Sequence, residues 1–231
     1  MELDNVVLDE CEVIEELGLD NLKIVQDTRL YRFTSDSVLL SRFVKPKKGE
    51  VVADFCSGSG IVGFHFYALH KEQSPAMKCT LFELQEKLMN LSKKTAQING
   101  FENFSFVLGR LQQLPKECHE AFSLVLCNPP YEKGGFENDD YEKAICRKEL
   151  TITLDEIARA AAYALKYGGR LAMVHRADRL AEVCYVLKSV NIEVKKIQFV
   201  GGRVGSKPYL VLIEAVKGGK PNCEILPTIY N

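Results

Sequence analysis

The residues best suited to chemistry stand where a predicted strand ends. Residues 122–128 (FSLVLCN) are typical of a buried strand, which runs directly into Asn128, Pro129, Pro130 and Tyr131. The Asn128 side-chain oxygen and the Pro129 carbonyl can accept both N–H groups of one planar amine, which draws the nitrogen toward a tetrahedral shape and exposes its lone pair. Because each proline fixes its own φ angle and restricts the residue before it, both acceptors are oriented in advance. Tyr131 can stack on an aromatic base. The corner is predicted to activate a planar amine, and the alternative is a proline-rich turn that merely ends a strand.

A second set of candidate residues follows the predicted strand 49–55. The turn after it carries Gly58 and Gly60, and small residues there let the backbone approach a ligand in front of a helix N-terminus. With Gly63 these glycines fit G-x-G-x-x-G, the dinucleotide fingerprint, but a lone match is weak evidence. Asp54, four residues before Gly58, favours instead a cationic ligand with a free amino group, because a pyrophosphate gains nothing from a nearby carboxylate.

Glu83 ends the next predicted strand, residues 78–84, and lies 25 residues after Gly58. An acid at this point can accept hydrogen bonds from both hydroxyls of a ribose. The alternative is a Gly-rich turn followed by a Glu that caps a helix. Taken together, the turn and the acid favour a cofactor that contains a nucleoside.

These segments resemble the class I S-adenosylmethionine-dependent methyltransferases. Their first motif, D/E-x-G-x-G-x-G, stands here as Asp54-Phe-Cys56-Ser-Gly58-Ser-Gly60, and Cys56 replaces the first Gly with a small residue that is expected to fit. Residues 128–131 match the N/D-P-P-Y/F/W motif of the amino-methyltransferases. The resemblance implies S-adenosylmethionine as the cofactor and, as its binding residues, Asp54, Cys56, Gly58, Gly60, Glu83 and Asn128. Relatives often carry an acid near the cofactor's adenine amine, where this chain has Arg110, and that contact stays open.

The flanking segments resemble a bacterial family of tRNA adenine-N6 methyltransferases, which modifies an anticodon-loop adenine of a valine tRNA. The matching segments are 31–44 (YRFTSDSVLLSRFV), 174–183 (VHRADRLAEV) and 209–221 (YLVLIEAVKGGKP). The resemblance implies that Arg32, Phe33 and Asp36 close over the methionine end of the cofactor. From the residues alone, Phe33 is equally suited to a core, and Asp36 to capping the helix that follows.

The acceptor stays open among planar amines. Enzymes with the same corner motif methylate guanine N2 in rRNA or a glutamine in a protein, and the literal glycine pattern leaves an NAD-dependent oxidoreductase as a further alternative. A non-catalytic RNA-binding module is the last alternative. If tRNA is the partner, its base must be unpaired or flipped out. RNA contacts are then predicted at Lys133, Arg147, Lys148, Arg203 and Lys207. For each of these residues the alternative is an ordinary solvated surface.

The composition is that of a globular protein, with 46% hydrophobic and 26% charged residues among 231. Residues 1–20 carry eight acids and no Lys or Arg, so they are predicted to be an acidic extension, either a disordered tail or a helix over a basic groove. Residues 21–231 are predicted to be one methyltransferase domain, as a monomer or a homodimer.

The sequence has no signal region or membrane segment, which favours the cytoplasm. Its eight cysteines and four histidines lack metal-site spacing, so no metal is expected.

Strand and helix patterns alternate along the chain, which favours an α/β fold with a mostly parallel sheet and helices on both faces. Seven strands are predicted, the last two joined only by residues 201–207 and therefore antiparallel at one edge. Thr153 and Glu156 form a predicted capping box for a helix over 153–169 that Gly168 closes. We expect a Rossmann-like class I methyltransferase fold, in which ligands bind at the carboxyl ends of the strands.

Overall fold

The computed structural model describes residues 6–19, 21–30, 33–131 and 151–231. The strands in these ranges are β1 Glu12–Glu16, β2 Lys23–Asp27, β3 Val51–Phe55, β4 Lys78–Glu83, β5 Phe104–Leu108, β6 Phe122–Cys127, β7 Leu165–Arg176, β8 Ile192–Gly201, β9 Leu210–Lys217 and β10 Glu224–Tyr230. The α-helices are α1 Ser35–Phe43, α2 Ile61–His70, α3 Glu86–Asn99, α4 Leu154–Ala164 and α5 Leu180–Ser189. Single 3-10 turns occupy Leu111–Gln113, Lys116–Cys118 and Ala177–Arg179.

One large sheet forms the centre of the molecule, with strand order β10-β8-β9-β7-β6-β3-β4-β5. β3 pairs in parallel with β4 on one side and β6 on the other. Side chains alternate across it, so that Ala53 and Phe55 face one apolar cluster while Val52 faces the other. Burial on both faces explains why strands such as β6 are continuous apolar runs.

Helices cover both faces of this sheet. Ile157 of α4 and Val183 of α5 belong to the cluster that contains Phe55. Leu40 of α1 and Phe64 of α2 belong to the cluster on the opposite face. The predicted α/β arrangement, with a mostly parallel sheet between two helical layers, is confirmed.

Among the described residues the sheet has eight strands, where the sequence predicts seven. The additional strand, β10, pairs in parallel with β8 and forms the edge of the sheet. The antiparallel strand β9 therefore lies between β7 and β8, and not at the edge as predicted. β10 was missed because Pro227 interrupts it, and its pairing with β8 is irregular between Leu226 and Ile229. An edge strand tolerates a proline that a central strand would not.

The helix predicted over 153–169 ends earlier than expected. The capping box is present, since Thr153 accepts a hydrogen bond from the Glu156 N–H and Glu156 accepts one from the Thr153 N–H. The helix stops at Ala164, and Leu165 already pairs with Phe122 of β6. Gly168 therefore lies not at a helix end but in a register shift of β7, with a φ angle of 76°.

The described part of the acidic N-terminal region includes one strand of a β-hairpin, formed by residues 12–16 and 23–27, where the sequence predicted a disordered tail or a helix. β1 and β2 pair antiparallel, with Glu12 opposite Asp27 and Glu16 opposite Lys23. Val25 of β2 packs against α3, and its N–H donates to the Thr95 hydroxyl at 2.9 Å. The hairpin thus joins residues on both sides of the domain boundary predicted at residue 20.

Candidate active site

The Gly-rich turn and the Asn-Pro-Pro-Tyr corner open into the same cleft. β3 and β6 are parallel neighbours, with Phe55 opposite Cys127, so the segments that follow them leave the sheet side by side. The cleft lies at this carboxyl edge. Of the residues predicted from the sequence, those that line it are Phe33, Cys56, Gly58, Glu83, Asn128, Pro129, Pro130 and Tyr131. A group that moves between two ligands requires such a shared cleft.

The turn after β3 depends on three residues with left-handed backbones: Cys56 (φ 56°), Gly58 (φ 58°) and Gly60 (φ 84°). A Cβ on Gly58 would meet no atom within 4 Å, whereas one on Gly60 would lie 2.4 Å from the ring of Phe64. Cys56 adopts a conformation that costs a non-glycine residue about 1–2 kcal/mol. The left-handed backbone at position 56 explains why the motif D/E-x-G-x-G-x-G has a glycine where this chain has Cys56.

Asp54 lies beneath this turn and is not among the residues that line the cleft. Its Oδ2 accepts the Gly63 N–H at 2.9 Å, while its Oδ1 is buried without a hydrogen-bond partner among the described residues. Burial raises the pKa of Asp54 to about 7, and the charge of nearby Glu83 adds to the increase. A Cβ on Gly63 would lie 3.1 Å from Asp54 Oδ2, so this glycine allows α2 to approach β3 closely.

Glu83, at the end of β4, lines the cleft and is held by the backbone. Its Oε2 accepts the N–H of Gly58 at 2.8 Å, and its Oε1 accepts the N–H of Gln85 at 2.8 Å. Burial raises the pKa of Glu83 even though these hydrogen bonds lower it. Because a carboxylate oxygen can accept a second hydrogen bond, both oxygens can still receive ligand hydroxyls.

Asn128 is fixed by the first turn of α1. Its Nδ2 donates to the hydroxyl of Ser37 at 3.0 Å, and both residues line the cleft. With the amide nitrogen occupied in this way, the amide oxygen is the atom that can accept from a ligand amine. The two prolines that follow are buried and line the same wall.

Tyr131 is fixed from the same helix. Its hydroxyl donates to Asp36 Oδ2. Its ring centroid lies 5.7 Å from that of His175, at the end of β7, and its carbonyl accepts from Arg179 Nη1 at 3.4 Å. The phenol ring is therefore held at the cleft wall by contacts on several sides.

Asp36 lies at the start of α1, where its carboxylate accepts the Tyr131 hydroxyl, and its predicted contact with the cofactor stays a prediction. Thr34 occupies the N-cap position of α1 without a side-chain capping hydrogen bond, and Asp36 lies in the first helical turn and not at the cap. Phe33 is both partly buried against the core and part of the cleft wall. Its N–H donates to Gln26 Oε1 at 3.3 Å, and Gln26 Nε2 donates to the Ser59 hydroxyl at 2.6 Å.

Of the five basic residues predicted to contact RNA, the structure describes Arg203 and Lys207. Arg203 and Lys207 are exposed on the loop between β8 and β9, at the same edge of the sheet as the cleft. Midway along these strands Lys196 pairs with Glu214, and at their other end Lys217 pairs with Glu120. Arg32, Lys133, Arg147 and Lys148 lie outside the described residues.

Several residues of the cleft escaped the sequence prediction. Ser37, Ser57 and Ser59 line it beside the two motifs, and Leu84, Leu111 and Ile152 form further parts of its wall. Arg110, whose contact the sequence left open, lines it as well. Ser57 and Ser59 lie inside the Gly-rich motif, and their position in the predicted ligand-binding turn could have identified them as cleft residues. Ser37 lies in the matching segment 31–44, but nothing local indicated its role, because its contact to Asn128 spans 91 positions of sequence.

No cluster of three or more metal-binding side chains occurs in the part of the chain that the structure describes. The longest described helix, α3, has 14 residues, and among these helices none has the length and apolar character to cross a bilayer.

Comparison with known proteins gives consistent matches. Residues 34–200 match the model of a family described as the methyltransferase small domain. A curated relative from Shewanella sediminis, named tRNA1(Val) (adenine(37)-N6)-methyltransferase, is 22% identical over 181 residues, which cover 76% of this chain and 72% of the relative. A predicted O-methyltransferase from Agrobacterium tumefaciens has a similar structure, with a TM-score of 0.65, 19% identity and coverage of 84% of this chain and 86% of that one. TYW2 from P. horikoshii, solved with MeSAdo, gives a TM-score of 0.62 at 12% identity, with coverage of 91% and 73%.

Proposed function

Since the chain belongs to the methyltransferase small domain family and its cofactor is S-adenosylmethionine, we propose that it methylates the N6 amine of an adenine in tRNA, at an anticodon-loop position. The observation that carries this proposal is the single cleft that contains both the Gly-rich turn and the Asn-Pro-Pro-Tyr corner. The name of the relative from S. sediminis supports the choice of adenine and of tRNA. The NAD-dependent oxidoreductase alternative fails, because the family is one of methyltransferases.

The described residues fit this cofactor. Glu83 offers two backbone-anchored oxygens to a ribose, and the turn with Gly58 and Gly60 brings the backbone close to the cleft. Leu111 and Ile152 add apolar wall suited to an adenine ring. We assign cofactor binding to these groups and, as proposed supports of the turn, to Asp54 and Cys56. When bound, the cofactor supplies an activated methyl group.

The corner after β6 holds the amine that is to be methylated. The Asn128 oxygen and the Pro129 carbonyl accept its two hydrogens, which directs the nitrogen lone pair toward the cofactor side of the cleft. The prolines keep these acceptors in place without donating a competing N–H. Tyr131 supports the attached base by stacking, with its ring held through Asp36 and His175.

We assign the RNA contacts to the edge of the sheet that carries the cleft. Arg203 and Lys207 supply exposed positive charge there, and Tyr209 at the end of the same loop is 44% exposed. Lys133, Arg147 and Lys148 stay predictions of the same kind. A cytoplasmic location follows from a tRNA substrate and stays a prediction, as does the choice between monomer and homodimer.

The test is a methylation assay on bulk tRNA with labelled S-adenosylmethionine, followed by mass analysis of the released nucleosides. The expected product is N6-methyladenosine, mapped to the anticodon loop. Label in a methylated guanosine, or in protein but not in RNA, would transfer the proposal to one of the other planar amines. Absence of label from every nucleoside would remove the RNA substrate altogether.

A further inference from the structure

We propose that the first turn of α1 is a positioning element for the reaction, in which the Ser37 hydroxyl holds the Asn128 amide with its oxygen toward the substrate amine. This inference rests on the proposed function. It concerns a residue that the two sequence motifs do not include and that donates nothing to the substrate itself.

An Asn side chain can present either of two groups of nearly equal size. Rotation about its last torsion exchanges the oxygen, which accepts, with the NH₂ group, which only donates. An NH₂ group placed against the substrate amine would oppose two donors and bind neither hydrogen. The Asn128 amide therefore needs a partner that takes its nitrogen, and the partner in the structure is Ser37 Oγ at 3.0 Å.

Ser37 is suited to this task because it is buried and its backbone is hydrogen-bonded at the start of a helix. It is buried, with 2% of its surface exposed, and its N–H donates to the Thr34 carbonyl at 3.2 Å as α1 begins. The neighbouring Asp36 accepts the Tyr131 hydroxyl. One helical turn thus holds both ends of the catalytic corner, Asn128 at its start and Tyr131 at its end.

The same turn is tied to the cofactor side of the cleft. Gln26, which is buried, accepts the Phe33 N–H and donates to the hydroxyl of Ser59 in the Gly-rich turn. At its outer side, Ser35 Oγ accepts from Asn231 Nδ2 at 2.9 Å. The position of Ser37 is therefore set relative to both halves of the cleft.

The test compares Ser37→Ala with Ser37→Thr and with Ser41→Ala. Ser41 is the matched control because it is also a buried serine of α1, but its hydroxyl contacts Val38 and His65 and does not line the cleft. Steady-state methylation of tRNA is measured for each variant, together with calorimetric binding of S-adenosylmethionine. For Ser37→Ala we expect kcat to fall about tenfold, as loss of one orienting hydrogen bond implies, with KM for tRNA and cofactor affinity within about twofold. Ser37→Thr keeps the hydroxyl and restores most of kcat, and Ser41→Ala leaves kcat unchanged.

A second readout does not depend on activity. In ¹⁵N-labelled protein without ligands, the side-chain NH₂ signals of Asn128, assigned by their loss in Asn128→Asp, are expected to shift in Ser37→Ala and to stay in place in Ser41→Ala. An unchanged kcat in Ser37→Ala, equal losses of kcat in Ser37→Ala and Ser41→Ala, or unshifted NH₂ signals would each overturn the inference. If the wild type transfers no methyl group to tRNA, the proposed function fails, and the NH₂ signals still decide whether Ser37 orients the amide.

Discussion

At the scale of single residues, Asn128 contributes through two atoms with opposite tasks. Its nitrogen donates to Ser37 inside the protein, and its oxygen is the atom that we propose accepts from a substrate amine. Under this proposal the tetrapeptide specifies the chemistry only when α1 is in place. A residue of this kind is expected to affect the transfer step far more than the binding of the cofactor.

Asn128→Ala tests that division. Removing one preoriented acceptor from a desolvated site is expected to lower the rate of methyl transfer by about 100-fold or more. The affinity for S-adenosylmethionine is expected to stay within about threefold, because Glu83 and the Gly-rich turn are untouched. Single-turnover transfer and calorimetry on the same preparation measure the two effects. Normal turnover in this variant would eliminate the proposed mechanism.

Asp54 is a second residue whose environment has a measurable consequence. It is fully surrounded by protein, one of its oxygens has no hydrogen-bond partner in the described part of the chain, and burial raises its pKa from 3.8 to about 7. Between these two values the folded protein keeps a proton that the unfolded chain releases. The stability that this proton provides is present at low pH and is lost as the pH rises through about 7.

Asp54→Asn is expected to remove this pH dependence, because the amide can accept the Gly63 N–H and does not ionise. The free energy of unfolding of the variant, relative to wild type, should increase between about pH 5 and about pH 7.5. Urea denaturation at both pH values measures it. Asp178→Asn is the control, since the Arg176 hydrogen bond lowers the pKa of that exposed carboxyl below its ordinary value of 3.8, so the group is ionised in both states above about pH 5 and the relative stability of this variant should stay constant over the same range. A relative stability that falls with pH would contradict the assignment.

At the scale of secondary-structure elements, the sequence correctly predicted a helix end where residues of the same element satisfy its backbone polar groups. The capping box of α4 appears as predicted, and Gly100 ends α3 in the left-handed conformation that favours glycine. The end of α4 was predicted wrongly, because tertiary partners take its last carbonyls. The Tyr163 carbonyl accepts the Glu120 N–H, and Lys217 Nζ donates to the Leu165 carbonyl. Neither partner is near in sequence, so Gly168 was mistaken for the cap.

The turn between β3 and α2 contains two glycines that differ in the space available for a side chain, so their substitutions should differ in their effect on stability. Gly60→Ala is expected to destabilise the protein by about 3 kcal/mol, because the new Cβ meets the Phe64 ring and the backbone is left-handed. Gly58→Ala has the same kind of backbone but open space around it, so about 1 kcal/mol is expected. Its larger effect should be on cofactor affinity, because Gly58 lines the cleft. Thermal denaturation and calorimetry compare the variants, and equal stability losses would show that the Phe64 contact is unimportant.

At the scale of the whole molecule, the distribution of charge decides where a polyanion can bind. The C-terminal lysines and arginines look continuous in the sequence, but the strands carry them to opposite ends of the sheet. Arg203 and Lys207 lie at the edge with the cleft, while Lys195 donates to the carbonyl of Lys220 near the far ends of the strands. The fold neighbours and the family match confirm the predicted class I methyltransferase fold. The strand directions in this fold separate the basic residues near the cleft from those at the opposite ends of the strands.

Two double variants, each lacking two positive charges, test whether RNA binds at the end of the sheet that carries the cleft. Arg203→Ala with Lys207→Ala is expected to raise KM for tRNA several-fold and to reduce the slope of log KM against log salt by about 1–2, because up to two phosphate contacts are lost. Lys195→Ala with Lys220→Ala removes two charges from the other end and should change neither quantity. Cofactor affinity serves as the control for folding in both. Equal effects of the two pairs would mean that RNA responds only to net charge.

The sequence alone determined the α/β class and the two motifs that end neighbouring strands, because these depend on periodicity and on residue types at short spacing, and the resemblance of those motifs to a known family implied the cofactor. Tertiary structure decided which groups complete the site. Ser37, Asp36 and Gln26 reach the motifs through contacts across 91, 95 and 33 positions of the chain, and no local pattern encodes such distances. The same reason applies to β10, whose place depends on the edge of β8, and to Asp54, whose raised pKa depends on burial that only the packed molecule creates.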